Sequence, residues 1–236
     1  MKKEYIYNNQ GSLWGEPEII GFGDSAFCVK ELNKDKANAV IKKNHYSGKV
    51  YNATYIHLGV YVDGELKGVL QYGYAMNPAS CGSVVEGTEK DQYLELNRMW
   101  IADDAGQYPE SRAISCSIKY IKRKYPKIKW IQSFADERCG GFGIVYQACS
   151  FSYYGEHTAS FWELDGETFH NSIMTSEKAG PRGYKLLNDP GNKDRVVRHE
   201  LRQFRYIKFL DSKWKKRCNH KEQPYPKYYK AEDQTK

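Results

Sequence analysis

The stretch around residues 111–125 constrains the fold of this chain most. Ile114, Ile118, Ile121 and Tyr125 recur at steps of four, three and four, so they share one helical face. Lys119, Lys122, Arg123 and Lys124 cover much of the rest, Ser111 can cap the start, and Pro126 marks the end. This amphipathic helix lies between two strand-like runs, YLELNRMWI at 93–101 and IKWIQSFA at 128–135, the second closing on Asp136. Upstream, Asn33 can cap a helix through about Asn44, with Ala37, Val40 and Ile41 on one side and Gly48 as a stop. YIHLGVYV at 55–62 and LKGVLQYGY at 66–74 read as a hairpin turned at Asp63-Gly64. Downstream, a short helix at about 143–149 leads into the strand-like FSYYGEHTASFWEL. Residues 165–192 read as irregular, and 202–210 as a late strand. Alternating strands and helices predict an α/β (α+β) fold with a mixed central sheet flanked by helices.

Charge divides the chain. Of 36 Lys+Arg and 29 Asp+Glu, residues 193–236 hold 14 and 6, a net +8, and residues 1–192 sum to −1. The expected organisation is a catalytic body over 1–192 and a basic, aromatic-rich extension over 193–236. Phe204, Tyr206, Phe209, Trp214, Tyr225, Tyr228 and Tyr229 are interleaved with the cations. Cations on phosphates and rings on bases are a nucleic-acid combination, against the plainer reading of a solvated tail. Mean hydropathy is −0.76, and no apolar run approaches the roughly 20 residues a membrane span needs. The start, MKKEYIYNNQ, lacks the apolar core of a signal peptide, so a cytoplasmic protein is expected. Of the six cysteines, no two have the spacing of a zinc knuckle or redox pair.

Several residues are candidates for chemistry. Strand 93–101, its loop and the next helix make a natural anion site, with Arg98 and Arg112 adding charge; the alternative for Arg98 is an ion pair with Glu95. Asp136 ends an apolar strand, where open α/β sheets bind ligands and where a base can stand; it can equally serve a turn. His45, beside Tyr46 just past a helix end, titrates near neutrality and can be a base, a metal ligand or neither. The phenol of Tyr146 can protonate a leaving group or simply pack. There is no phosphate-binding P-loop, no zinc-deaminase signature, and no Asp/Asn-Pro-Pro-aromatic segment for methyl transfer to an adenine amine.

From the strand at Tyr93 to Glu163 the chain resembles the GNAT acyltransferase superfamily: strand, pyrophosphate loop, helix, splayed strand, short helix. Residues from about 30 to 210 resemble the Mom family of bacteriophage DNA-modification proteins. That match is carried by NHYSG at 44–48, ELNRMWIADD at 95–104, SRAISCSIKYIKRKYP at 111–126 and QSFADERCGGFGIVYQA at 132–148. The resemblance implies a transferase that converts adenine in DNA to N6-carbamoylmethyladenine and shields phage DNA from restriction in the host bacterial cytoplasm. It implies catalytic roles for His45, Tyr46, Asp136 and Tyr146, and donor binding by Arg98 and Ser111, to which Arg112 is added. The partners expected are double-stranded DNA and a group donor, with room for a homodimer and none for a membrane. Iron is also suggested for the family. Aligned on Gln107, the acyltransferase loop pattern puts Glu110 and Arg112 where small residues normally let backbone wrap a pyrophosphate. An activated glycine-like donor therefore competes with an acyl-CoA-type one. Two other classes stand beside this reading: a coenzyme A-dependent N-acyltransferase for a small molecule or protein, and a non-catalytic DNA-binding accessory protein.

Overall fold

A computed structural model describes residues 2–8, 17–137 and 141–227. Arg138, Cys139, Gly140, Tyr228 and Tyr229 lie outside the described residues. The chain forms two compact units. The first comprises Met1–Ser133, Ile144–Tyr154 and Tyr206–Tyr225, the second Phe134–Gly143, Gly155–Arg205 and Pro226–Lys236. The expected boundary at residue 192 thus falls within the second unit.

In the first unit, β1 (Glu4–Asn8), β2 (Glu18–Gly23), β3 (Phe27–Glu31), β4 (Thr54–Val62), β5 (Glu65–Gly73) and β6 (Tyr93–Ile101) pair antiparallel in chain order. The β4–β5 hairpin turns as its sequence predicts: Asp63 and Gly64 both take positive φ, 48° and 86°. β6 then pairs parallel with β7 (Trp130–Asp136), and the order continues through β10 (Val197–Phe209) to β8 (Ser152–Leu164). The three strands β1–β3 escape sequence reading because they are short and not one of them alternates strictly between buried and exposed.

Helix α1 (Lys34–Asn44) begins where Asn33 accepts hydrogen bonds from the amides of Asp35 and Lys36, and it buries Ala37 and Ile41. It ends at Asn44, as its sequence predicts, with His45 as the C-cap. After the four-residue α2 (Cys81–Val84), helix α3 (Pro109–Lys124) carries the crossover to β7. Its start corrects the expectation: Pro109, with its preset φ, holds the first helical position, and Ser111 lies inside the helix. Its buried face is Ala113, Ile114, Cys116, Ser117, Tyr120 and Ile121, turned from the expected stripe. The buried hydroxyl of Ser117 makes this possible, lying 2.5 Å from the Tyr72 hydroxyl.

The expected tail also changes character. Phe204 and Tyr206 are 1% and 0% exposed, and Phe209 and Trp214 pack against the core of Tyr93, Trp130, Tyr154 and Ile207. Phe204 and Tyr206 fill the interior, with Phe209 and Trp214 partly buried beside them. Along β10, Phe204 and Tyr206 share a face with Arg198, Arg202 and Lys208, the rings buried and the cations more exposed. In the second unit, β9 (Glu167–His170) pairs antiparallel with the end of β8, and α5 (Asn171–Thr175) and α6 (Pro181–Asn188) follow. Leu164, Phe169 and Leu187 form a small core there, so residues 165–192 are ordered elements and not irregular chain. No helix among the described residues is long and apolar enough to cross a membrane.

Candidate functional site

Three of the expected residues meet where α1 ends. Asn44-His45-Tyr46-Ser47-Gly48 is a tight turn closed by the Gly48 amide on the His45 carbonyl (2.8 Å), with Gly48 at φ 58°. That conformation suits glycine. The turn fixes the imidazole. His45 Nδ1 accepts the Ser47 amide (3.2 Å) and lies 2.9 Å from Ser47 Oγ. Because an amide can only donate, Nδ1 carries no proton, and the neutral ring holds its hydrogen on Nε2. Burial, then the Arg98 guanidinium, pushes the His45 pKa down to about 4. At neutral pH His45 is therefore an uncharged Nε2–H donor. The Tyr46 ring lies on it at 4.3 Å and is 62% exposed.

Arg98 reaches this turn from β6. Its Nε donates to the Lys49 carbonyl (3.2 Å), its Nη1 to the Asn97 carbonyl (2.7 Å), and its guanidinium lies 5.7 Å from the Tyr51 ring. Glu95 accepts the amides of Asn97 (2.9 Å) and Gln132 (2.8 Å). Ser47, Tyr51, Asn97 and Gln132 are not singled out from sequence, although Ser47, Asn97 and Gln132 lie inside the NHYSG, ELNRMWIADD and QSFADERCGGFGIVYQA segments.

The His45 tautomer and pKa make a direct prediction. An NMR titration should place the His45 midpoint near pH 4, with Nδ1 unprotonated, and Arg98→Ala should move it upward. An unfolded histidine titrates near 6.5. Between those values the unfolded chain binds more protons, so the stability contributed by His45 is full above pH 6.5 and is lost as pH falls toward 4. A midpoint near 6.5 in the folded protein would refute this picture.

A second group lies where β6 and β7 part. The two strands pair only over Tyr93–Glu95 and Trp130–Gln132. Beyond that, Ser133 Oγ lies 3.2 Å from the Leu96 carbonyl and 2.9 Å from the Tyr146 hydroxyl. Tyr146, on α4 (Ile144–Ala148), is 9% exposed, and its ring packs on Phe151 and Tyr206. Cys149 Sγ donates to the Ser111 carbonyl (3.3 Å), joining the end of α4 to the first turn of α3. Ser111 Oγ itself donates to the Tyr108 carbonyl (3.2 Å). The Arg112 guanidinium, in the first turns of α3, lies 4.0 Å from the centre of the Phe27 ring of β3.

Asp136 belongs to the second unit. Alternation along β7 puts it on the same face as Phe134, against which His157 (5.4 Å) and Arg205 (5.3 Å) pack. The next residue, Glu137, accepts three hydrogen bonds from Arg202, from its amide (2.8 Å), Nε (3.0 Å) and Nη2 (2.7 Å). That pairing holds the Glu137 carboxyl below the usual range.

Among the described residues no three His, Cys, Asp or Glu side chains gather to hold a metal ion. The His45 ring also has a cation, Arg98, as its electrostatic neighbour.

Solved structures similar to this fold are acetyltransferases. A ribosomal-protein-S5-alanine acetyltransferase from Vibrio fischeri matches at 10% identity and a TM-score of 0.47, over 83% of this chain and 98% of that one. A ribosomal L7/L12 α-N-protein acetyltransferase matches at 11% and 0.45, over 80% and 96%. Sequence is more specific. The Mom protein family profile matches residues 26–227, and the methylcarbamoylase mom of Escherichia phage Mu is 44% identical over 230 residues, 96% of this chain and 94% of that protein. The chain belongs to the Mom protein family.

Proposed function

We propose that this protein modifies DNA, converting adenine to N6-carbamoylmethyladenine and so protecting phage DNA from restriction in the infected cell. One observation carries the reading: 44% identity, along nearly the whole of both chains, to a protein named as a methylcarbamoylase.

The chemistry sets requirements that the side chains can meet. The target amine lies in the base stack, so adenine is flipped out at a cost of a few kcal/mol. The exposed Tyr46 ring offers a face on which it can stack. The N6 lone pair is delocalised into the ring and needs a base. His45 is poorly suited, since its Nδ1 lone pair is already engaged by the Ser47 amide. The carboxylate of Asp136 takes that role, and His45 donates from Nε2. Arg98, pinned by two carbonyls, supplies fixed positive charge for the donor's anionic part. Ser111 belongs to the same donor side, and Tyr146 protonates the leaving group. The donor is an activated glycine-like molecule, since the added group has a glycinamide skeleton.

The test is a nucleoside digest of DNA from cells expressing the protein. Adenosine should gain the mass of a carbamoylmethyl group in place of one hydrogen. Unmodified adenosine, alongside soluble folded protein, would overturn the reading.

A further inference from the structure

The positive charge of the last 44 residues is not one surface. On β10 and just before it the cations have partners. Arg195 pairs with Asp165 (2.5 Å), Arg198 with Glu200 (2.5 Å) and Arg202 with Glu137 (2.7 Å). Lys208 Nζ donates to the carbonyls of Cys149 and Ser150, both at 3.1 Å. The next segment differs. A 3-10 turn at Ser212–Arg217, sequence SKWKKR, presents Lys213, Lys215 and Lys216 to solvent, and Lys221 follows. Lys215 pairs with Glu222 (2.6 Å) and Arg217 lies 4.2 Å from the Trp214 ring. Lys213, Lys216 and Lys221 have no acidic partner among the described residues.

This segment is also anchored. Trp214 packs into the core with Tyr93 and Trp130. The Arg217 carbonyl accepts the Glu86 amide (2.8 Å), the Asn219 amide donates to Val84 (3.0 Å), and the Gln223 amide donates to Tyr153 (2.9 Å). The backbone bearing the lysines is therefore set before any partner arrives, which limits the ordering cost of binding. A 3-10 turn has three residues per turn, so Lys213 and Lys216 stand on one side, about 6 Å apart along the axis. Asp211 caps the turn through the Lys213 amide (3.0 Å), and Glu222 holds Lys215.

We propose that this docked turn, through Lys213, Lys216 and Lys221, is the surface that takes the phosphate backbone of duplex DNA, and that the β10 cations do not. The inference rests on the DNA-modification reading and locates its polyanion contact. Uncompensated lysines on a fixed backbone fit a regular row of phosphates. Each contact displaces counterions, so binding weakens with salt at about 0.9 per phosphate neutralised, on a log–log scale.

The test measures binding of the full-length protein to a fluorescent duplex across a series of salt concentrations. The variants are the triple Lys213→Gln/Lys216→Gln/Lys221→Gln and, as control, Arg195→Gln. Thermal melting of each checks folding. The triple variant should lose roughly 2.7 from the slope, three contacts at about 0.9 each, and Arg195→Gln should match wild type. A triple variant whose slope falls by less than one contact overturns the proposal. If it still modifies adenosine in cells, the enzymatic reading stands and only the surface is misplaced. A wild-type protein without affinity for duplex DNA overturns both.

Discussion

Asp136→Asn should lower the yield of modified adenosine by about 10²–10⁴-fold, the range for loss of a positioned general base. The substitution keeps the shape of the side chain and removes its ability to take the N6 proton. His45 cannot take over the proton transfer, because its Nδ1 is engaged by the Ser47 amide and its pKa is held near 4. Stability should hardly change, since Asp136 is only half-buried at a strand end. The measurement is the ratio of modified to unmodified adenosine in digested DNA, with a melting curve for the variant. Undiminished modification would remove Asp136 from the mechanism. A collapse of both yield and folding would make it a structural residue, and Asp136→Glu, which restores the carboxylate, would then fail to recover activity in a folded chain.

Tyr206→Ala carries the second large effect, on stability. Tyr206 is fully buried, its ring lies 5.4 Å from those of Tyr146 and Tyr153, and its hydroxyl accepts Gln147 Nε2 (3.0 Å). Truncating a buried aromatic costs about 3–5 kcal/mol, a large share of the 5–15 kcal/mol that holds a typical domain. Tyr206→Phe keeps the ring and loses mainly the hydrogen bond, about 1 kcal/mol. Denaturant titration of the three proteins checks this order. A stable Tyr206→Ala protein with weakened DNA binding would return the ring to the nucleic-acid surface that its basic neighbours suggest. Because Tyr206 packs on Tyr146, Tyr206→Phe is also the cleaner variant for asking whether that packing supports activity.

Much of the fold was legible because local chemistry writes it. Asn33 caps α1, Asp63-Gly64 turns the β4–β5 hairpin, and the apolar period of α3 sets it between β6 and β7. Each is a decision taken within a few residues. The strands β1–β3 and the small elements of 165–192 were illegible because such short segments acquire their structure from pairing and packing, not from a pattern of their own. In the candidate site, sequence proposed His45, Tyr46 and Arg98 but not their meeting, which the β6 strand and the turn after α1 bring about.

By itself, the sequence determined the element types around the site, the excess of positive charge near the end and the membership in the Mom protein family. Only the tertiary structure decided what those charges and rings do. It turned Phe204 and Tyr206 into core, paired Arg195 with Asp165 and Arg202 with Glu137, and left Lys213, Lys216 and Lys221 without an acidic partner among the described residues on an anchored segment. It also set the protonation of His45. Charge pairing and desolvation depend on distance and burial, and neither is written in the order of residues.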